Sequence, residues 1–238
     1  MKTTRFLILP LLCLALRAAT PALNAAELNT LSAEEKAAGW QLLFNGKNTE
    51  GWLGLGKNSF PDKGWEVSEG ILRHTQSGGG GDIVTAKTYI NFELSFEWKI
   101  GAAGNSGVKY NLPDASKPVG FEYQLLDDER NPDGVKNGAL HQTGSLYDIF
   151  EPNPARKTRP VGEWNQSRLL VQGRHVEHWL NGSQAVSFDL GSPELLGRIA
   201  KSKYKNVPGF GEKKASPLLL QDHGDLIEFR NLKLRELK

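Results

Sequence analysis

The chain has 238 residues, with 29 lysines and arginines against 27 aspartates and glutamates, five histidines and one cysteine. Three of the basic residues, Lys2, Arg5 and Arg17, fall in the first 26 positions with no acid among them, which leaves 26 basic against 27 acidic residues in the remainder. A nearly neutral chain with no basic stripe and no RNA- or DNA-binding motif has no electrostatic footprint for nucleic acid, and no stretch is apolar over the roughly 20 residues that a membrane helix needs.

Residues 1–26 open on Lys2 and Arg5, run through an apolar stretch from Phe6 to Leu16 and pass small residues up to Ala25 and Ala26. That order is a secretory signal peptide, and the protein is expected to be exported to the periplasm or beyond the cell. Cys13 lies inside it, and Pro10-Leu11-Leu12 lacks the small residue expected before a lipid-modified cysteine. A chain cut near Ala26 has no thiol, disulfide or thiolate metal site. Residues 27–238 are read as one large domain with no internal repeat and no linker.

Ser32 followed by Glu35 is a capping box, and Gly39 is a stop, so a short helix is expected over 32–38. Most of the chain beyond Gly39 reads as strand. In residues 92–100, Phe92, Leu94, Phe96, Trp98 and Ile100 alternate with Glu93, Ser95, Glu97 and Lys99, the period of a half-buried strand. Further strands are expected at 65–75, 82–88, 106–111, 120–126, 145–150, 167–172, 175–180, 184–189, 217–221 and 226–235. Turn residues separate them, among them Gly78 to Gly81 and Asn131-Pro132-Asp133-Gly134. Asn181-Gly182 between two alternating runs is a hairpin signal, because a type I′ turn needs positive φ at both residues. Ser192 and Pro193 open the one interior helix, 193–203, and the Lys- and Gly-rich residues 203–216 read as a loop. Many short strands without βαβ alternation make an all-β fold, an antiparallel jelly-roll sandwich with one or two short helices.

Polar residues belong on the outside of a sandwich strand, and a curved sheet gathers such a row into a groove. In residues 121–128, FEYQLLDD, Glu122 and Gln124 share one face while Phe121, Tyr123 and Leu125 take the other. Same-face neighbours two apart sit about 7 Å from each other, close enough for one sugar ring to touch both. Asp127 and Asp128 suit three jobs: orienting a base, holding a cation, or capping the following turn. Asn105-Ser106-Gly107 offers an amide and a hydroxyl to a sugar, and serves equally well as a turn. Lys109, projecting into a groove, is suited to stabilise an enolate-like oxygen. His178 fits either a groove or a partly buried strand. Gln221-Asp222-His223-Gly224 is a polar break directly after Leu218 to Leu220, and serves equally well as a turn or as a place for a proton-transferring histidine. No histidine pair has the spacing of a helical zinc motif, and there is no nucleophile elbow, phosphate loop or dinucleotide fingerprint. No motif calls for a divalent cation, so the cofactor stays open.

Several segments together resemble the 3-keto-disaccharide hydrolase family: Gly39-Trp40-Gln41-Leu42-Leu43-Phe44-Asn45-Gly46-Lys47 with Gly51-Trp52, FEYQLLDD, Glu163-Trp164-Asn165, His178-Trp179-Leu180-Asn181-Gly182, and Leu220-Gln221-Asp222-His223-Gly224 with Phe229-Arg230-Asn231. The resemblance runs from Gly39 to Leu237. It implies a concanavalin A-like sandwich acting on glycosides whose glucose unit is oxidised at C3, with 3-keto-glucoside 1,2-lyase and 3-keto-2-hydroxyglucal hydratase activities. Glu122-Tyr123-Gln124 is also similar to the Glu-x-Asp strand of sandwich glucanases. Here the second acid is an amide, which cannot serve as nucleophile or strong proton donor.

A 3-keto sugar does not need that second carboxylate. The ketone acidifies the C2 proton, a base removes it, charge develops on the C3 oxygen, the aglycone leaves C1, and water adds back. Glu122 and His223 are the expected catalytic pair, with base and acid unassigned. Gln124, Asn105, Lys109, Asp127, His178 and Gln221 are the expected contacts to a small-molecule carbohydrate. The competing reading is a non-catalytic carbohydrate-binding domain of the same fold; aromatic platforms such as Trp52, Trp65 and Trp164 suit either reading, and a buried core explains several of them equally well. An ordinary glycosidase ranks below both. The sequence leaves aglycone, anomeric preference and oligomeric state open.

Overall fold

A computed structural model describes residues 28–238, so the expected export signal lies outside the described residues. In chain order the elements are α1 (Ala33–Ala37), β1 (Gln41–Leu42), β2 (Trp52–Gly54), β3 (Trp65–Ser68), β4 (Ile71–His74), β5 (Ile83–Thr85), β6 (Phe92–Ile100), β7 (Asn105–Tyr110) and β8 (Phe121–Leu126). Then come α2 (Pro132–Asn137), a 3-10 turn (Gly138–His141), β9 (Asn165–Gln172), β10 (His175–Leu180), β11 (Ser183–Asp189), α3 (Pro193–Ile199), β12 (Leu219–Leu220) and β13 (Ile227–Glu236).

The strands form two antiparallel sheets. One runs β11-β10-β9-β6-β13-β4-β3, with β1 also on β13; the other runs β2-β5-β12-β7-β8. This is a jelly-roll sandwich of the concanavalin A-like class. The alternating residues of β6 explain its place: Phe92, Leu94, Phe96, Trp98 and Ile100 are all buried between the sheets. Opposite them, Val108, Tyr110, Phe121, Tyr123 and Leu125 close the core from the smaller sheet.

Local signals produce local structure where they were complete. Ser32 and Glu35 form the reciprocal capping box of α1. Asn181 and Gly182 both have positive φ, 47° and 80°, in the β10–β11 hairpin. The expected strand 65–75 is a hairpin broken at Glu69-Gly70, where φ is positive at both residues. Helix α3 ends at Ile199, short of the expected 203. Residues 145–150, expected as a strand, make only isolated bridges at Leu146 and Phe150, with Asp148 at φ 60°. The Asn-Pro-Asp-Gly stretch opens α2, with Asn131 as N-cap and Pro132 in the first turn.

Candidate functional site

Partners across an antiparallel ladder share a face of the sheet. Lys109 on β7 is the partner of Glu122 on β8 and of Leu219 on β12, and Leu219 is the partner of Val84 on β5. These residues lie on the face of the smaller sheet turned away from the core. Phe121, Tyr123 and Leu125 point inward, as the alternation requires. Val84, Leu112 and Leu219, with Leu53 and Leu55, form a small apolar cluster of their own there. At its edge stands a charged pair: Lys109 Nζ is 3.4 Å from Glu122 Oε2, with the side chains only 8% and 4% exposed.

Gly107 explains how a carboxylate fits into so closed a place. It pairs with Gln124, one same-face step from Lys109, and a Cβ there would lie 2.5 Å from Glu122 Oε1. Gln221 completes the group. Its backbone N donates to Gly107 O at 3.0 Å. With its amide oriented to satisfy both neighbours, its nitrogen donates to Glu122 Oε1 at 3.2 Å and its oxygen accepts from Lys109 Nζ at 3.1 Å. Lys109 Nζ also donates to Pro118 O at 3.0 Å. Beside them the Gln124 Nε2 donates to Asn105 Oδ1 at 3.0 Å, while Gln124 Oε1 is buried without a partner among the described residues. That acceptor is suited to a ligand hydroxyl, because a buried polar atom left unpaired costs about 1–3 kcal/mol.

Two flanks hold this floor in place. On one, Asp82 Oδ1 accepts from Asp222 N at 2.8 Å, and burial raises its carboxyl above the usual aspartate range against the pull of Lys109. Asp222 also accepts from Gly81 N at 2.8 Å and lies 2.9 Å from Nε2 of the fully buried His74, off the line of a good hydrogen bond. On the other flank Tyr147 N donates to Glu122 O at 3.0 Å, so Tyr147 continues the sheet row past Glu122. Its hydroxyl donates to Asp133 Oδ2 at 2.8 Å. His141 stands between Asp133 Oδ1 at 2.9 Å and Asp148 Oδ1 at 3.3 Å, and its ring lies 4.2 Å from that of Tyr147. Burial alone would raise Asp133, but hydrogen bonds from Tyr147 and His141 outweigh it and hold the carboxyl low. Among the described residues no three His, Asp or Glu side chains are grouped to hold a metal ion.

The profile of the 3-keto-alpha-glucoside-1,2-lyase-like domain matches residues 39–235. The chain belongs to this family. A 3-keto-disaccharide hydrolase of Bacteroides thetaiotaomicron is 32% identical over 249 residues, spanning 90% of this chain and 84% of that protein. Two solved structures from Parabacteroides distasonis ATCC 8503, each assigned provisionally as a glycosyl hydrolase, share the fold. One is 38% identical with a TM-score of 0.80, covering 89% of this chain and all of its own; the other is 26% identical with a TM-score of 0.65, covering 83% and 99%. The lyase-like family is thus a carbohydrate-processing one, and no described helix is long and apolar enough to cross a membrane.

Within this lyase-like domain Glu122, Lys109, Gln124, Asn105 and Gln221, all singled out from the sequence, come together around Gly107. Three other expected residues do not join them. Asp127 is buried as a turn cap, accepting from Ala103 N at 2.8 Å and from Glu129 N at 3.3 Å, with Arg130 at 3.3 Å. It borders a cavity of about 280 Å³ between Trp98, Leu126, Arg159 and Asn165 that includes neither Glu122 nor Lys109. His178 is in the core, not in a groove: fully buried, it is bonded to Tyr110 Oη at 2.8 Å, with Nδ1 3.2 Å from Gly144 O. Burial lowers its pKa to about 4. His223 is exposed and makes no hydrogen bond or ion pair to another described residue, so it has no tie to Glu122. The sequence reading missed Tyr147, Asp133, His141 and Asp82. The helix-start pattern Asn131-Pro132 was the one available sign that Asp133 sits in ordered structure.

Proposed function

We propose that this protein cleaves 3-keto-glycosides by taking the C2 proton, expelling the substituent at C1 and adding water to the resulting double bond. The observation that carries this reading is Glu122, set 3.4 Å from Lys109, with an amide, Gln124, in place of a carboxylate at the next same-face position. A retaining glycosidase needs a second carboxylate about 5–5.5 Å from the first. An elimination next to a ketone needs one base and one cation.

Glu122 is the base in this scheme. Buried over Gly107 and bridged by Gln221, its carboxylate is held in one place, so its reach to C2 is set before substrate arrives. Lys109 is the fixed charge for the C3 oxygen. Its three hydrogen-bonding directions point to Glu122, Gln221 and Pro118, and in a closed site its field acts with little screening. As the proton moves to Glu122, Lys109 loses the anion it was paired with, and the enolate oxygen supplies a new one. Charge therefore stays balanced while the electrons move. Asn105 and Gln124 are left to orient sugar hydroxyls. The same reading takes residues 1–26 as an export signal and places the activity outside the cytoplasm.

The test is to incubate the purified protein with a glucoside and its 3-keto form, with and without chelator. Release from the keto form alone is expected. Equal release from both would point to ordinary glycoside hydrolysis, and binding without product would point to a carbohydrate-binding domain.

A further inference from the structure

We infer that Lys203 is the group that protonates the leaving glycosidic oxygen, from its position above Tyr147 beside the buried Glu122–Lys109 pair. The inference rests on the elimination reading above and adds the acid that reading lacks.

Two lysines act electrostatically on the Glu122 carboxylate, and they differ in kind. Lys109 is 7% exposed and bound on all sides, so it acts as a fixed charge. Lys203 is exposed, and its Nζ makes no hydrogen bond or ion pair to another described residue. It rests instead on two rings, 4.0 Å from the centroid of Tyr147 and 5.1 Å from that of Tyr204. A ring face holds an ammonium in position without taking its proton. Tyr147 is the next residue along the outer-face row after Glu122, so the ammonium stands at the rim of the same site.

The platform under Lys203 is built as a closed ring of contacts. Lys203 N donates to Asp148 Oδ2 at 2.7 Å, Asp148 meets His141 at 3.3 Å, His141 meets Asp133 at 2.9 Å, and Asp133 accepts from the Tyr147 hydroxyl at 2.8 Å. The lysine then closes the ring over the Tyr147 face. A surface cation–π contact alone would need none of this. Although the residue as a whole is exposed, partial desolvation of its ammonium lowers its proton affinity below that of an ordinary lysine; Glu122 opposes the shift, Lys109 adds to it, and Asp148 and Asp133 oppose it. A lysine that gives up its proton more readily is a better general acid near neutral pH.

The steps balance. Glu122 takes the C2 proton, the C2–H electron pair passes through the enolate into a C1–C2 double bond, and the C1–O bond breaks with its electron pair on the departing oxygen. Lys203 gives that oxygen a proton and becomes a neutral amine. Water then adds its oxygen to C1 and a proton to Lys203, and Glu122 returns its proton to C2. Both groups are restored, and nothing is oxidised or reduced.

The experiment compares the wild type with Lys203→Met and Lys203→Arg on two 3-keto-glucosides, one with a 4-nitrophenyl and one with a methyl aglycone, and follows C2 proton exchange in D2O. Nitrophenolate leaves without a proton, whereas methanol does not. Both variants are expected to keep nitrophenol release within a few-fold, to keep C2 exchange, and to lose about 10²- to 10⁴-fold on the methyl substrate. Equal losses on both substrates, no loss on either, or loss of C2 exchange would overturn the assignment. If the wild type releases neither aglycone, the elimination reading itself fails and this inference with it.

Discussion

The carboxylate of Glu122 occupies the space that a side chain at Gly107 would take: a Cβ on residue 107 would come within 2.5 Å of Oε1 and 2.9 Å of Cγ. Neither partner has room to yield, since Glu122 is 4% exposed and tied to Lys109 and Gln221. Gly107→Ala is therefore expected to push the carboxylate out of line with C2. Overpacking of this kind costs about 1–3 kcal/mol of stability, so the variant should fold. Its release from a 3-keto-glucoside should fall by about 10²-fold or more. Wild-type rates in a folded Gly107→Ala protein would show that the position of Glu122 does not matter.

The Lys109–Glu122 pair should behave differently in stability and in catalysis. Removing one partner leaves a buried charge uncompensated, at a cost of about 3–5 kcal/mol, whereas removing both restores neutrality. Urea melts of Lys109→Met, Glu122→Gln and the double variant should show the double variant more stable than either single one. Turnover should stay about 10²- to 10⁴-fold down in all three. Recovery of activity in the double variant would mean that neither charge takes part in the chemistry.

His178 belongs to stability, and its pH dependence has a definite sign. Its pKa is about 4 when folded against an ordinary value of about 6.5 when unfolded. Between these values the unfolded chain holds the extra proton, so stability falls as pH drops from about 6.5 to 4 and is unaffected by this group above that window. The full cost is about 3 kcal/mol. His178→Gln, which keeps polar atoms near Tyr110 and Gly144 but does not titrate, should show a shallower fall in melting temperature between pH 7 and 4.5. Parallel profiles for the two proteins would count against a neutral buried imidazole. A loss of turnover much larger than the loss of stability would return His178 to the site.

Export predicts a mass. Protein recovered from the periplasm or medium of an expressing bacterium should lack residues 1–26 and begin near Glu27, as read by intact-mass spectrometry. Full-length chain confined to the cytoplasm would remove the export proposal.

The strand pattern was readable because each signal was short-range. Alternation over 92–100, the Ser32–Glu35 box and the Asn181-Gly182 turn each depend on neighbours a few residues apart, and each appears in the fold. The floor of the site was also partly legible, because Glu122 and Gln124 alternate against Phe121, Tyr123 and Leu125. What alternation could not show is that the outward face of that strand is also buried. Gln221, which bridges Glu122 and Lys109 there, approaches from a distant part of the chain. The core position of His178 is legible in its neighbours: Val176, His178 and Leu180 share one face, and two of the three are aliphatic. That face is the core. His223 stood out by composition alone, and composition carries no information about what a side chain meets.

The last strand of the fold lies in the middle of its sheet. Residues 227–236 are hydrogen-bonded to β6 on one side and to β4 and β1 on the other, and Asn231 exchanges backbone-to-side-chain bonds of 2.7 and 2.8 Å with Asn29, 202 residues away. The larger sheet therefore cannot close until almost all of the chain has been synthesised. Strands β3, β4 and β1 have no route to β6 except through that late segment. The order of synthesis and the order of assembly are opposed, and non-local pairings of this kind are the ones that slow folding. Until residues 227–236 arrive, the edges of β6 and β4 are open and able to pair with other chains.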